Sequence, residues 1–193
     1  MPTTRMEAFT DGVLAIIITI MVIELKVPHG VGLEAIRPLV PILGCYLLSF
    51  VYVGIYWNNH HHLLHACRRV TGSILWANLH LLFWLSLVPF TTGWMGENHF
   101  ATLPTAAYGI VLVMAGVAWG ILQERIIVAE GERSVVKHAL GWDWKGKLSP
   151  ALYAVAIALA FISPWISVTI YAAVALVWVI PDRRIERALE EGA

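Results

Sequence analysis

Apolar residues fill six long stretches of this 193-residue chain, and short polar segments separate them. A helix needs roughly 20 mostly apolar residues to cross a bilayer, and we count all six stretches as candidate spans, although the last two are shorter and qualify only narrowly. The predicted helices cover residues 4–25, 37–57, 73–91, 104–127, 150–162 and 164–180. This pattern predicts an all-α membrane protein whose residues 1–193 form a single domain of six transmembrane helices.

The segments between these helices predict simple connections. The segment 128–147 is expected to be a loop too short for a domain, and residues 181–193 are expected to be a solvated tail. Proline begins the sixth helix at Pro164, so the last two helices are predicted to form a tight hairpin. Gly116 and Gly120 have the GxxxG spacing that allows a neighbouring helix to approach closely.

Composition and charge support the membrane assignment. Hydrophobic residues make up 59% of the chain, charged residues make up 13%, and the mean hydropathy is +0.72, outside the usual globular range. The net charge of zero indicates no nucleic acid partner.

With the N-terminus inside, only Lys26 and Arg37 of the 13 basic residues fall outside. Cytoplasmic loops are enriched in basic residues, so both termini are predicted to be cytoplasmic.

The first helix carries a stripe that could line a pore. Successive helical residues turn by about 100°, so Gly12, Ile16, Thr19 and Ile23 share one face. Several copies of this stripe facing one another would form a hydrophobic constriction, which gates ion flow by dewetting. A cyclic homo-oligomer would place one copy from each subunit around an axis. Alternatively, Ile16 and Ile23 are ordinary core or lipid-facing residues.

Polar residues of the same helix have a second predicted task. Thr10 and Asp11 point roughly opposite to the stripe, towards the second and third helices. Asp11 is expected to accept hydrogen bonds from one or more of His60, His61, Trp76 and Asn78, with or without a role in conduction. Glu24, near the outer end, either concentrates cations at the mouth or pairs with Lys26.

The end of the second helix contains four histidines, at positions 60, 61, 62 and 65. His61 and His65 lie one helical turn apart, which suits two imidazoles on one metal ion, and only Cys67 is spaced as a further ligand. The alternative is a polar helix end at the cytoplasmic interface. The chain has no GxSxG, HExxH or Walker motif, so neither an enzyme nor a cofactor is expected.

The start of the chain resembles a known family. The series Arg5-x-x-x-Phe9-Thr10-Asp11, followed by Gly12-Val13, Ala15-Ile16, Thr19 and Glu24-Leu25, resembles the RxxxFSD signature of prokaryotic relatives of transmembrane protein 175. That protein is the endosomal and lysosomal potassium channel. Trp57 with the following histidines, Asn78-Leu79 and Val88-Pro89-Phe90 are also similar. Threonine stands here where the signature has serine.

The resemblance implies a function, an assembly and a set of site residues. It implies a homotetrameric cation leak channel in a prokaryotic plasma membrane, preferring potassium to sodium, with four first helices around the pore. Carried over, the constriction and selectivity positions are Ile16, Thr19 and Ile23, and the signature positions are Arg5, Phe9, Thr10 and Asp11. Two other classes of function stay open: a small carrier for protons or a metal ion, and a structural membrane subunit.

Overall fold

The computed structural model describes residues 2–140 and 144–179, without the side chains of residues 133 and 138–140. Its α-helices are α1 (Thr3–Ile23), α2 (Val40–His65), α3 (Gly72–Ser86), α4 (Val88–Glu97), α5 (Thr102–Glu130), α6 (Val135–Leu140), α7 (Trp144–Ala160) and α8 (Pro164–Val179). No strand occurs among these residues, so the predicted all-α class is confirmed for them. The predicted tail, 181–193, lies outside the described residues.

Four helical segments of this part of the chain are long and apolar enough to cross a membrane. They are Thr3–Ile23, Leu33–His65, Gly72–Glu97 and Thr102–Glu130. The second includes two 3-10 turns that precede α2, and the third combines α3 with α4. Helix α8 is apolar but shorter. The protein is therefore a helical membrane protein.

Helix α2 continues eight residues beyond Trp57, where the sequence predicts its end, and stops at His65. Asparagines and histidines are hydrophilic, which is why a hydropathy pattern ends the span early. The helix nevertheless continues because His60, Leu63 and Leu64 are buried against neighbouring helices. The histidine run therefore lies on a regular helical turn, with fixed directions for each ring.

The predicted third helix, 73–91, is divided into α3 and α4 by a break at Leu87. Pro89 has no N–H to donate to the backbone, and its ring crowds the carbonyl four residues earlier, so a straight helix cannot continue. Helix α4 then runs to Glu97, past the predicted end. The break directs Thr92 towards α2, where its hydroxyl oxygen lies 2.6 Å from that of Ser49.

Helix α5 lies between two clusters of buried side chains. One cluster joins α1, α2, α3 and α5 and includes one residue each of α4 and α6; the other joins α2, α4, α5, α7 and α8. In the second, the Tyr52 hydroxyl donates to the Tyr171 carbonyl at 2.6 Å, which ties α2 to α8. The first cluster is the one that holds α1 in place.

The predicted loop at 128–147 is largely helical over its described residues. Helix α5 extends to Glu130, the 3-10 turn Gly131–Arg133 and α6 follow, and α7 begins at Trp144. Helix α7 ends at Ala160 and α8 begins at Pro164, at the junction where the sequence predicts a hairpin.

Gly109 marks a close approach of three helices that the GxxxG pattern does not identify. A Cβ at Gly109 would fall on the Tyr171 hydroxyl of α8 and lie 2.7 Å from Cγ1 of Ile157 in α7. Of the predicted pair, Gly116 would place a Cβ 3.2 Å from the Pro150 ring, whereas Gly120 has open space. Close packing against α5 therefore depends on Gly109 more than on Gly120.

Replacing Gly109 with alanine is expected to destabilise the protein by about 1–3 kcal/mol, the usual effect of overpacking a filled core. Gly120→Ala adds the same methyl group to a helix without a clash, and should leave stability unchanged or raise it by up to about 1 kcal/mol. Thermal unfolding of the detergent-solubilised variants measures the difference. Equal midpoints for the two variants would contradict the assignment of Gly109 as the contact point.

Candidate functional site

Helix α1 has two distinct faces in the folded chain. Its buried side chains, at 3–4 residue intervals, are Met6, Thr10, Leu14, Ile17 and Met21. The predicted stripe lies on the other face: Ile16 is 60% exposed, Ile23 is 74% exposed, and Gly12 and Thr19 are also exposed. The described residues of one chain therefore leave the whole stripe uncovered.

Thr19 presents an oxygen atom in the middle of this exposed face. Its hydroxyl donates to the Ala15 carbonyl of the preceding turn at 2.8 Å. A hydroxyl has one donor and two acceptor lone pairs, so this bond leaves the lone pairs available to an outside ligand. The stripe thus consists of two branched apolar side chains with one oxygen ligand between them.

A buried hydrogen-bond network joins the opposite face of α1 to α2 and α3. The Asn78 amide donates to the Thr10 hydroxyl at 2.9 Å, and its carbonyl oxygen lies 2.8 Å from Nε2 of His60. All three side chains are at most 2% exposed. Because an unpaired buried polar group is costly, these three residues fix the rotation of α1 against its neighbours.

Two further pairs link α1 to α2 beside this network. The two helices run antiparallel, so the earlier residue of α1 pairs with the later residue of α2. Trp57 donates from Nε1 to Oδ1 of Asp11 at 3.0 Å, and Nδ1 of His61 lies 2.8 Å from Oε1 of Glu7. Both pairs are at least partly exposed. Glu7 and Asp11 are four residues apart, as are Trp57 and His61, but this spacing identifies the two pairs only once the register of α2 beside α1 is known.

The partners predicted for Asp11 are therefore wrong. Asp11 binds Trp57, because it lies about 100° around the helix from Thr10 and so faces the exposed groove between α1 and α2. Thr10 takes the buried place and binds Asn78. Trp76 is 75% exposed and lies outside the network formed by the described residues.

Two residues of the signature lie outside the hydrogen-bonded network. Arg5 is exposed and makes no hydrogen bond or ion pair with the described residues 2–140 and 144–179. Phe9 is 53% exposed. Both side chains line a cavity of about 250 Å³ between α1 and α3, together with Leu75 and Leu79. Within a single chain they border an open surface and do not anchor α1.

The C-terminal end of α1 borders a second, larger cavity of about 530 Å³ that carries three charged groups. Nζ of Lys26 lies 2.6 Å from Oε1 of Glu97, and this hydrogen bond and the carboxylate charge raise the pKa of Lys26. The alternative pairing of Lys26 with Glu24 is therefore wrong. Glu24 lies against α4: its Oε2 atom is 3.2 Å from the position that a Cβ atom would occupy if Gly93 had a side chain. Two carboxylates against one ammonium favour cations here.

The histidine run contributes to both the buried and the exposed side of α2. His60 belongs to the buried network, whereas the rings of His61 and His65 lie 4.3 Å apart on the exposed side of α2. Cys67, the predicted additional ligand, is buried, and its thiol donates to the Arg69 carbonyl at 3.6 Å. The residue that approaches the two rings is Glu7 of α1.

Comparison with known proteins identifies relatives of the whole chain. The family model of the endosomal/lysosomal potassium channel TMEM175 matches residues 5–89, which include most of α1, all of α2 and α3, and the hydrogen bonds that join these three helices. A potassium channel of Chryseobacterium sp. is 54% identical over 187 residues, covering 97% of each chain. A potassium channel of Chamaesiphon minutus is 35% identical over 181 residues, covering 86% of this chain and 88% of its own.

A solved structure agrees with this relationship. The crystal structure of a lysosomal potassium-selective channel TMEM175 homolog from Chamaesiphon minutus matches 93% of this chain and 97% of its own. The TM-score is 0.77 at 28% identity. Likeness of fold over nearly the full length accompanies likeness of sequence, so this chain belongs to the TMEM175 family.

Proposed function

We propose that the protein is a potassium-preferring cation channel in which four copies of α1 surround the ion pathway. The exposed stripe of α1 carries this proposal, because the described residues of its own chain leave all four of its positions uncovered. A cyclic tetramer places four such stripes around an axis. The sequence relatives named above are potassium channels, which supports the same conclusion.

Ions would pass a constriction built from the stripe. Rings of Ile16 and Ile23 exclude water when the pore is narrow and so close it without a moving plug. Between them, four Thr19 hydroxyl oxygens would replace part of the hydration shell of a dehydrated cation. Oxygen ligands of this kind discriminate between cations through their number and spacing.

The outer cavity would concentrate cations before they reach the constriction. Glu24 and Glu97 of each subunit border this cavity next to Ile23. Four subunits would therefore contribute eight carboxylates and four Lys26 ammonium groups near the axis. The excess negative charge would raise the local cation concentration at the outer mouth.

In the membrane, we place six helices across the bilayer, with α7 and α8 as the fifth and sixth spans. They have 17 and 16 residues, close to the lower limit for a spanning helix. Both termini would then be cytoplasmic, in the plasma membrane of a prokaryote, since the basic residues collect on that side. A carrier is not favoured, because carriers place charged groups near the membrane midplane in broken helices.

The reversal potential tests the proposal directly. Purified protein in a planar bilayer, with potassium on one side and sodium on the other, is expected to give a current that reverses close to the potassium equilibrium potential. Light scattering should give an assembly of four 21.4 kDa chains. Zero current, or a saturating current driven by a proton gradient, would contradict a passive channel, and a lipid-facing stripe would then explain the exposed isoleucines.

A further inference from the structure

Three side chains with metal-binding atoms converge where α1 begins and α2 ends. The carboxylate of Glu7 and the imidazoles of His61 and His65 each offer one ligand atom, and these atoms all lie within 4.8 Å of one another. Oε1 of Glu7 already lies 2.8 Å from Nδ1 of His61. The three residues come from two helices, so their convergence depends on the fold and is not a property of a local sequence run.

The spacing suits a small divalent transition metal ion. Zinc bonds to histidine nitrogen and carboxylate oxygen at about 2.0–2.2 Å, so ligand atoms in a tetrahedral site lie roughly 3.3 Å apart. The ligand atoms of Glu7 and His61 lie 2.8 Å apart and all three lie within 4.8 Å of one another, so small rotations of these side chains can reach that spacing. His61 retains 46% and Glu7 25% of its side-chain exposure, which leaves a path for the ion and for water.

We propose that Glu7, His61 and His65 form a binding site for Zn²⁺ and similar divalent transition metals, with water completing the coordination. Imidazole and carboxylate ligands in this number are those of open zinc sites, which keep a position for water. Bound metal would link the first turns of α1 to the last turn of α2. This inference is independent of the proposed channel function.

Other candidate ligands close to the site are excluded by their surroundings. His60 is buried and bonded to Asn78, and the ring of His62 lies 5.6 Å from that of His61, farther than His65. The Cys67 thiol is buried and donates to the Arg69 carbonyl at 3.6 Å, so it is directed to the backbone of its own loop. Among the described residues, the Glu7, His61 and His65 cluster alone brings three such ligands together.

Metal competition in purified protein tests the site without any measurement of current. A chromophoric chelator loaded with Zn²⁺ is titrated with detergent-solubilised protein, and one Zn²⁺ is expected to bind per chain. Removing a residue that only hydrogen-bonds to a metal ligand weakens metal binding by roughly 10–100-fold. His65→Asn and Glu7→Gln change ligands themselves, so each should weaken Zn²⁺ binding at least tenfold. His62→Gln, a change in the same helical turn, should bind Zn²⁺ as the unmodified protein does.

A second measurement separates loss of a ligand from loss of fold. His65 is exposed, so His65→Asn should keep the thermal midpoint of the metal-free protein while losing the rise in midpoint that Zn²⁺ produces. No Zn²⁺ binding by the unmodified protein would overturn the proposal. Binding that survives Glu7→Gln unchanged, or that is lost equally in His62→Gln, would also overturn it, because the ligand set would then be different.

Discussion

Replacing Ile23 with asparagine is expected to raise the potassium current of the reconstituted protein about tenfold. In the proposed pore Ile23 forms an apolar ring that stays dry, and a carboxamide in its place would hold water and lower the barrier to ion passage. A barrier lowered by about 1.4 kcal/mol corresponds to that tenfold increase in rate. Single-channel recording in symmetric potassium solution measures the change.

Ile110→Asn provides the matched control for this substitution. Ile110 is 48% exposed but lies on α5, away from the stripe, so the same chemical change should leave the single-channel current unaltered. An unchanged current in Ile23→Asn would place the constriction elsewhere. Equal increases in both variants would indicate a nonspecific leak through a disturbed protein.

Replacing Asn78 with leucine is expected to lower the free energy of unfolding by about 2–6 kcal/mol. Leucine has a similar size, so packing is largely kept, but the buried Thr10 hydroxyl and His60 imidazole both lose their partner. Each unsatisfied buried polar group costs about 1–3 kcal/mol. A loss of this size is a large part of the usual stability of a folded domain, about 5–15 kcal/mol.

Thr10→Ser tests the same network from the other side. Serine keeps the hydroxyl that Asn78 binds and removes one methyl group, so a loss of at most about 1 kcal/mol is expected. Thermal unfolding of the purified proteins, followed by tryptophan fluorescence, compares the two variants. If Asn78→Leu unfolds at the midpoint of the unmodified protein, the network does not hold α1.

The two faces of α1 could be predicted from sequence because they follow from one number, the turn per residue of a helix. That angle places Thr10 opposite Ile16 and Ile23, and in the structure Thr10 is buried while both isoleucines are exposed. The helical class could be predicted for a similar reason, since apolar stretches of this length have few other stable forms in a membrane. Both are properties of a single helix.

Properties that involve two helices could not be predicted in the same way. Asp11 binds Trp57, and Glu7 meets His61, because of the rotation and register of α2 beside α1. That arrangement is set by all the side chains in the shared core, which no periodicity in one helix reveals. The hydropathy pattern ends α2 too early for a related reason, since His60 is hydrophilic in isolation but paired with Asn78 in the fold.

The polar contacts of α1 are confined to one end, and this has a mechanical consequence. In the described part of the chain its side-chain hydrogen bonds to other helices come from Glu7, Thr10 and Asp11, whereas its remaining turns pack through apolar groups alone. Helix α1 is thus attached by hydrogen bonds near its N-terminal end, and we expect it to tilt about a pivot near Asp11. Ile23 lies about 18 Å along the axis from that pivot, so a tilt of roughly 5° displaces it by about 1.6 Å. In the proposed tetramer, a small tilt of this kind would change the pore width most at the end of α1 that carries Ile23.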